Sequence, residues 1–269
     1  MRTIVHLSDL HFGRVDPAVV EPLIRTVTAL KPDLVAVSGD LTQRARSYQF
    51  KEARAFLDTL PNPQIVVPGN HDVPLHNVFA RFFEPLTKYR RYITADLKPF
   101  HFDDEIAVMG INTARSLTIK GGRINEEQVA WMSEKLCAFD PAVVKIVVTH
   151  HPFDLPEGGD EDQLVGRARM AMEALADCGA DLFLAGHLHI SHTSHSATRY
   201  KIKGHSALVV QAGTATSTRG RGEANSFNVI RVARSQTTVE RLEWQPDRAE
   251  FVLASTERFT HTPDGWVRI

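Results

Sequence analysis

Five short segments place small residues directly beside groups that can bind a metal ion or move a proton. The segments are Ser8–His11, Ser38–Asp40, Pro68–Asp72, Thr149–His151 and Gly186–His189. Between them they offer carboxylates, imidazoles and an amide, and the glycines let the backbone turn sharply or approach a ligand closely. A lone Asp-x-His or His-x-His is more often surface or core than a metal site. Five segments with the same pattern of small residues beside metal-binding groups therefore indicate a shared site.

These donors favour Mn, Fe, Zn, Co or Ni over a structural zinc site of the cysteine type, because no thiolate is offered. Seven side chains are candidate ligands: Asp9, His11, Asp40, Asn70, His150, His187 and His189. Seven are too many for one ion with an open position, whereas two ions sharing Asp40 as a bridge would fit. Two ions about 4 Å apart can acidify a shared water and stabilise both oxygens of an in-line phosphoryl displacement. The chemistry expected is phosphate ester hydrolysis.

Each segment follows a short apolar run, for example Ile4–Leu7, Leu34–Val37 or Lys145–Val148. Runs without alternation predict strands buried on both faces, as in a sheet covered by helices. The donors then gather at the carboxyl ends of the strands, where open α/β sheets bind ligands.

Helices are predicted over residues 16–30 and 47–60, which with the first three strands gives a βαβαβ order typical of a parallel sheet. We predict further helices over 76–92, 125–139 and 164–178, and a hairpin over 98–111. Strands are predicted at 191–199, 207–212, 226–232, 237–244 and 250–254. We expect one domain, residues 1–269, in which the C-terminal third builds mainly a second, antiparallel sheet.

The bulk composition excludes some classes of function. A net charge of −1 creates no field that would draw the chain to nucleic acid or to an anionic membrane. The chain enters a strand at once and has no apolar run of 18 residues, so we expect a cytoplasmic protein. Cys137 and Cys178 are interpreted as buried free thiols rather than as a disulfide or as ligands.

The motif set Asp9-x-His11, Gly39-Asp40, Gly69-Asn70-His71-Asp72, His150 and Gly186-His187-x-His189 resembles that of the calcineurin-like metallophosphoesterases. Gly122-x-Ile124, Glu127-Gln128, Trp131 and Ala212-Gly213-Thr214 resemble the class III cyclic-nucleotide phosphodiesterase branch. The resemblance implies an α/β fold, a four-layer αββα sandwich of two mixed β-sheets flanked by helices. It places a dinuclear metal site at the strand C-terminal ends.

The resemblance also implies a set of roles. Asp9, His11, Asp40 and His189 would hold one ion, and Asp40, Asn70, His150 and His187 the other. The ions would be two divalent or trivalent transition metals (Mn, Fe, Zn or Co). His71 would be catalytic and face the phosphate, with Asp72 orienting its ring and raising its pKa. His151 would be a neighbour of the metal ligands.

The expected function is hydrolysis of small phosphodiesters by metal-activated hydroxide, with cyclic 3′,5′-nucleotides as the first candidates. Alternatives are a phosphomonoesterase, a glycerophosphodiesterase, a lipid or nucleotide-sugar pyrophosphatase and a nuclease. A scaffold without metals is the alternative from another class, and the intact ligand set argues against it. We expect no membrane or long nucleic acid as partner, and the sequence leaves the oligomeric state open, a homodimer included. Arg219-Gly220-Arg221 is interpreted either as a solvated loop or as a phosphate contact.

Overall fold

A computed structural model describes residues 1–75, 78–116, 121–219 and 222–269 of the chain. The elements through the middle of the chain are β1 (Arg2–Leu7), α1 (Pro17–Leu30), β2 (Leu34–Val37), α2 (Ser47–Thr59), β3 (Gln64–Val66), α3 (Val78–Phe83), α4 (Thr87–Tyr92), β4 (Phe100–Phe102), β5 (Ile106–Gly110), α5 (Glu126–Leu136) and β6 (Val144–Val148). They are followed by α6 (Ala168–Asp177), β7 (Ala180–Ala185), β8 (His192–His195), α7 (Ser196–Tyr200), β9 (Leu208–Gln211), β10 (Ser226–Ala233), β11 (Gln236–Gln245), β12 (Glu250–Thr262) and β13 (Gly265–Arg268).

The first sheet has the strand order β13-β12-β11-β10-β1-β2-β3. Strands β1, β2 and β3 are parallel, and β10 pairs antiparallel with β1. The prediction that the C-terminal third builds mainly the second sheet is therefore wrong, because β10 to β13 extend the first sheet from the open edge of β1. That pairing joins segments more than 200 residues apart, which local sequence patterns do not encode.

The second sheet has the order β4-β5-β6-β7-β9-β8. Its four central strands are parallel, and β4 and β8 pair antiparallel at the two edges. Both sheets are therefore mixed. In each of them the parallel strands precede the segments that carry the candidate ligands.

Three apolar clusters separate the layers. Ile4 and Ala36 of the first sheet share a core with Val108 and Ile146 of the second, so the two sheets pack face to face. The other face of each sheet is covered by helices, α1 and α2 on the first sheet and α5 and α6 on the second. This burial on both faces explains the apolar runs, and the predicted four-layer αββα sandwich is confirmed.

Three predicted elements differ from the structure. The helix predicted over 76–92 is two short helices, α3 and α4, which are separated around Pro85 because proline has no backbone N–H to donate; residues 76 and 77 lie outside the described residues. The strand predicted over 191–199 ends at His195 and continues as α7. Strand β12 runs to Thr262, beyond the predicted residue 254, and pairs with β13. Within the described ranges, no helix has the length and apolar content that crossing a bilayer requires.

The cysteines correct a further expectation. Cys137 and Cys178 form a disulfide, with their Cα atoms 4.5 Å apart, where the sequence was interpreted as holding two free thiols. They follow the last residues of α5 and α6, which pack together on the second sheet, and a separation of 41 residues hid that proximity. Because disulfides are rare in the reducing cytoplasm, the bond does not favour the predicted cytoplasmic location, which stays a prediction.

A buried carboxylate fastens the two sheets together at the edge away from the candidate ligands. Asp181, at the start of β7, is 3% exposed. Its Oδ1 accepts hydrogen bonds from Arg234 Nη1, in the turn between β10 and β11, at 2.6 Å and from Trp266 Nε1, on β13 of the first sheet, at 3.1 Å. Its Oδ2 accepts from the backbone N–H of Lys145 on the second sheet at 2.9 Å. One side chain thus links three strands across both sheets.

We expect Asp181→Ala to lower the free energy of unfolding by about 1–3 kcal/mol, because Arg234 and Trp266 lose their shared acceptor. Asp58→Ala is the matched control, since it removes an exposed ion pair with Arg54 and should cost less than about 1 kcal/mol. Urea unfolding followed by circular dichroism measures both. Equal losses in the two variants would show that Asp181 does not fasten the sheets.

Candidate metal centre

The seven candidate ligands meet between the carboxyl ends of the two sheets. Asp9 and His11 follow β1, Asp40 follows β2 and Asn70 follows β3, so the first sheet supplies four of the ligands. The second sheet supplies the others: His150 follows β6, and His187 and His189 follow β7. Except for Asn70, these side chains are buried.

One set of donors surrounds Asp9 Oδ1. This atom lies 3.2 Å from His189 Nε2 and 3.5 Å from His11 Nε2. The two imidazole nitrogens are 3.3 Å apart, and His11 Nε2 lies 3.7 Å from Asp40 Oδ2. Ligands bound at about 2.1 Å to one ion are separated by such distances. Asp9, His11, Asp40 and His189 can therefore hold one metal ion.

The second set lies on the other side of Asp40. His150 Nε2 is 3.4 Å from Asp40 Oδ1 and 3.0 Å from Asn70 Oδ1. His187 Nδ1 is 3.1 Å from the same amide oxygen and 3.3 Å from His150 Nε2. Because the two oxygens of Asp40 face different donor sets, this carboxylate has the geometry of a bridge.

Hydrogen bonds on the far side of three rings orient the lone pairs of the neutral imidazoles toward the clusters. His150 Nδ1 lies 2.8 Å from the backbone oxygen of Ser38, and His189 Nδ1 lies 3.2 Å from that of Arg219. In His187 the outer contact is made by Nε2, which lies 2.8 Å from Gln163 Oε1, so that Nδ1 faces the second donor set. Such outer contacts set the tautomer of a histidine ligand.

The orientation leaves acceptor atoms facing one another, which is unfavourable unless a cation lies between them. Asp9 Oδ1 is buried and has no hydrogen-bond partner among the residues that the structure describes, whereas Asp9 Oδ2 accepts from Ser8 Oγ at 2.7 Å and from the His187 backbone at 3.0 Å. A buried carboxylate oxygen without a partner is costly. The residues present thus fit a pair of transition-metal ions.

The electrostatics of the protein atoms alone favour positive charge here. Burial opposes ionisation, but the nearby charge of His189 holds the pKa of Asp9 well below its usual value. Burial likewise disfavours the His150 cation, yet Asp40 and Asp9 raise the pKa of His150 to about 9. Burial and the nearby His150 lower the pKa of His187 to about 3. Two ionised carboxylates are therefore buried where cations can balance them.

Five of the seven candidate ligands have a left-handed backbone conformation: Asp9, His11, Asp40, His187 and His189, with φ between 49° and 73°. Such conformations cost free energy in residues that have a Cβ atom, and they concentrate at functional sites. They turn consecutive side chains toward a single point after each strand.

Two glycines allow the segments to approach each other. A Cβ atom on Gly186 would lie 1.7 Å from Ser8 Oγ and 2.6 Å from Asp9 Oδ2. A Cβ atom on Gly69 would lie 2.1 Å from Asp40 Oδ1. Because neither position has room for a side chain, these glycines are required for the close contact between ligand segments.

His71 lies beside the donor sets without joining either of them. Its backbone N–H donates to Asp40 Oδ1 at 2.8 Å, and its ring packs edge-on against the His11 ring, with the centroids 4.9 Å apart. Ring atom Nδ1 lies 2.9 Å from the backbone oxygen of Gln43, and Nε2 lies 2.8 Å from Arg219 Nη1. In the neutral ring, Nδ1 therefore donates and Nε2 accepts.

Asp72 does not orient the His71 ring, so that part of the sequence prediction is wrong. Its carboxylate accepts instead from the backbone N–H groups of Leu41, Thr42 and Gly69 at 2.9–3.1 Å, and from Thr42 Oγ1 at 2.9 Å. Burial and the charge of Asp40 raise the pKa of Asp72 to about 7, although these donors favour the ionised form. The structure thus uses Asp72 to hold the segments after β2 and β3 together.

Gln163, Arg14 and Gln43 lie at the site and were not expected there from the sequence. Gln163 ends a single 3-10 turn, Glu161–Gln163, and its contact with His187 depends on how residues 151–163 fold back. His151, whose role the sequence left open, lies next to His150 and His187, and its Nδ1 is 2.8 Å from Thr113 Oγ1. Arg219 contacts His71, while residues 220 and 221 lie outside the described residues. Arg14 lies three residues after His11, and Gln43 lies three residues after Asp40. This short spacing from candidate ligands was a sequence signal that both residues lie near the site.

Comparison with known proteins gives matches to phosphoesterases. A model of the calcineurin-like phosphoesterase family matches residues 2–191. A probable glycerophosphodiester phosphodiesterase of Arcobacter nitrofigilis is 30% identical over 166 residues, 59% of this chain and 57% of that protein. A probable cyclic nucleotide phosphodiesterase of Moraxella catarrhalis is 24% identical over 211 residues, 74% of this chain and 76% of that protein.

The chain spans little more than half the length of the glycerophosphodiesterase relatives that it matches. Among solved structures, a dimetal phosphatase of Danio rerio superposes with a TM-score of 0.66 over 94% of this chain and 98% of that one. Its sequence identity is 14%, so this likeness shows a shared fold only.

The shared carboxylate predicts different effects of two substitutions. Asp40→Asn removes charge from both donor sets, so we expect bound Mn, measured by elemental analysis after dialysis, to fall from about two ions per chain toward zero. Asn70→Ala touches one set only and should leave about one ion. If Asp40→Asn retained two tightly held ions, the bridging assignment would be wrong. Gly121→Ala is a control near the site, because an added Cβ atom there has its nearest neighbour at 3.5 Å.

Proposed function

Because this chain belongs to the calcineurin-like phosphoesterase family, we propose that it is a metal-dependent phosphodiesterase of small phosphodiesters, with cyclic 3′,5′-nucleotides as the first candidates. The observation that carries the proposal is the convergence of seven donors into two sets that share Asp40. Within a phosphoesterase family, such a paired site fits hydrolysis. When bound, two ions supply an acidified water and charge to balance the phosphate.

The choice of a diester is supported by the relatives. Both relatives described above carry the name of a phosphodiesterase, one for glycerophosphodiesters and one for cyclic nucleotides. The cyclic nucleotide relative aligns with the larger part of this chain, 74% against 59%, which favours that substrate as the first to try. Glycerophosphodiesters are the second candidate.

We propose small substrates rather than long nucleic acid, because a net charge of −1 provides no general attraction for a polyanion. Small phosphodiesters require only local positive charge.

The protein side chains have separate tasks in this proposal. Asp9, His11, Asp40 and His189 hold one ion, and Asp40, Asn70, His150 and His187 hold the other. The outer contacts from Ser38, Gln163 and Arg219 keep the imidazole rings oriented, so that no reorganisation is needed when the substrate arrives.

His71 is the proposed acid for the departing oxygen. Its Nδ1 is held by the Gln43 carbonyl oxygen, so Nε2 is the ring atom that faces Arg219 and the open side of the site. Nε2 can carry a proton only after the Arg219 guanidinium has turned from it to the substrate phosphate, and the ring can then pass that proton to the leaving alkoxide as the P–O bond breaks. General acid catalysis of this kind contributes about 10²- to 10⁴-fold.

A substrate panel tests the proposed function. The Mn-loaded protein would be assayed with cyclic nucleotides, glycerophosphodiesters, pyrophosphates and phosphomonoesters, and the kcat/KM values compared. We expect the highest kcat/KM for a diester. A clear preference for phosphomonoesters, or no turnover of any ester by a protein that binds two ions, would contradict the proposal.

We expect His71→Ala to keep both ions and to lose about 10²- to 10⁴-fold in kcat on a diester with an alkoxide leaving group. The loss should be smaller on bis(p-nitrophenyl) phosphate, whose leaving group needs little protonation. His101→Ala, on the edge strand β4, serves as the control for removal of a histidine. An equal loss on both esters would indicate phosphate positioning instead, and loss of an ion would make His71 a ligand.

A further inference from the structure

A cavity of about 280 Å³ opens beside the metal centre. Asn70 and His71 form the wall that it shares with the site. Three further lining side chains are arginines, Arg14, Arg44 and Arg219, and within the described part of the chain no aspartate or glutamate lines it. We call this space the arginine cavity. Its charge is unusual for a chain whose net charge is −1.

The arginines are attached to the metal-centre segments through the backbone. The Arg14 N–H donates to the His11 carbonyl oxygen at 2.9 Å, which places Arg14 one turn beyond a candidate ligand. The Arg14 carbonyl oxygen accepts from Ser217 Oγ and from the Thr218 N–H, both at 3.1 Å. The segments that carry Arg14 and Arg219 are thereby joined.

Arg219 and Arg44 are fixed in the same way. The Arg219 carbonyl oxygen lies 3.2 Å from His189 Nδ1, and its guanidinium donates to His71 Nε2 at 2.8 Å. Arg44 follows Gln43, whose carbonyl oxygen accepts from the His71 ring, and the Arg44 N–H donates to Gln49 Oε1 at 2.9 Å. The backbone of Arg14 and of Arg44 is therefore anchored beside the candidate metal centre, and the guanidinium of Arg219 is held there by His71.

This arrangement provides more positive charge than one diester requires. A phosphodiester carries a single negative charge, and the two-ion centre already balances it. Guanidinium groups recognise phosphate through paired, charge-assisted hydrogen bonds, and a group of them without carboxylates has an anion as its natural ligand. The cavity can accommodate a phosphate group together with an apolar part of the same substrate. That apolar part would contact Val73 and Leu75, which also line the cavity.

We propose that the arginine cavity binds a second phosphate group of the substrate. The substrate class is then a phosphodiester that carries a further phosphate, either adjacent to the scissile group, as in a pyrophosphate, or elsewhere on the same molecule. This inference rests on the proposed phosphodiesterase function and narrows its substrate to diesters with a second phosphate, which a simple cyclic 3′,5′-nucleotide lacks. Because Arg219 also contacts His71, a phosphate bound in the arginine cavity would lie next to the proposed acid.

The test uses two esters with the same leaving group. One is thymidine 5′-(p-nitrophenyl phosphate), and the other is the same ester with a 3′-phosphate. The Mn-loaded protein hydrolyses both with release of p-nitrophenol, and the quantity measured is the ratio of kcat/KM for the 3′-phosphorylated ester to that for the unmodified one. The ratio compares two substrates in one preparation, so partial metal loss or partial unfolding cancels.

We expect a ratio of ten or more in the natural protein, and a fall of about tenfold in Arg14→Gln and in Arg44→Gln, the size of one lost charge-assisted contact. Arg25→Gln, which replaces an exposed arginine on α1 that does not line the cavity, should keep the ratio. A ratio near one that neither variant changes would rule out a separated second phosphate, and together with equal inhibition by the thymidine mono-, di- and bisphosphates it would overturn the inference while leaving the phosphodiesterase function standing. Absence of hydrolysis of both esters would overturn the function and this inference together.

Inhibition distinguishes the two placements of the phosphate. Thymidine 5′-diphosphate and thymidine 3′,5′-bisphosphate are compared with thymidine 5′-monophosphate as inhibitors of the unmodified ester. Tighter inhibition by the diphosphate indicates adjacent phosphates, and tighter inhibition by the bisphosphate indicates separated ones. Equal inhibition constants for all three would count against a second phosphate subsite.

Discussion

The structure depends on one buried carboxylate that two sets of donors share. Asp40 is 1% exposed and directs one oxygen toward His11 and the other toward His150. A buried negative charge is tolerated only with a compensating positive charge, and the two oxygens of Asp40 face imidazole nitrogens of both donor sets, where bound cations would balance it. The left-handed backbone of Asp40 and of four other candidate ligands, and the absence of a Cβ atom at Gly69, are features that this convergence requires.

The two-sheet architecture explains how such a site can be assembled. The parallel strands of both sheets direct their carboxyl ends toward one edge, where five segments carry the candidate ligands. At the other edge Asp181 fastens the sheets through Arg234 and Trp266. The chain thus uses the buried carboxylate of Asp181 to join its two sheets by hydrogen bonds. It uses those of Asp9 and Asp40 to present acceptor oxygens to metal ions.

Much of this could be predicted from local sequence. The apolar runs predict buried strands wherever they occur, and the donors that follow them must lie at the carboxyl edge, which the structure confirms. What could not be predicted depends on contacts between distant segments. The pairing of β10 with β1, the disulfide between Cys137 and Cys178, and the backbone partners of Asp72 each join residues that no local pattern relates. Arg14 and Arg44 converge on one cavity for the same reason.

The central claim is that two ions lie on either side of Asp40. Anomalous X-ray diffraction from crystals soaked in MnCl₂ tests it most directly, because each ion gives its own peak. We predict two peaks about 3.5–4 Å apart, one among Asp9, His11 and His189 and the other among Asn70, His150 and His187. A single peak, or two peaks that do not share Asp40, would contradict the account.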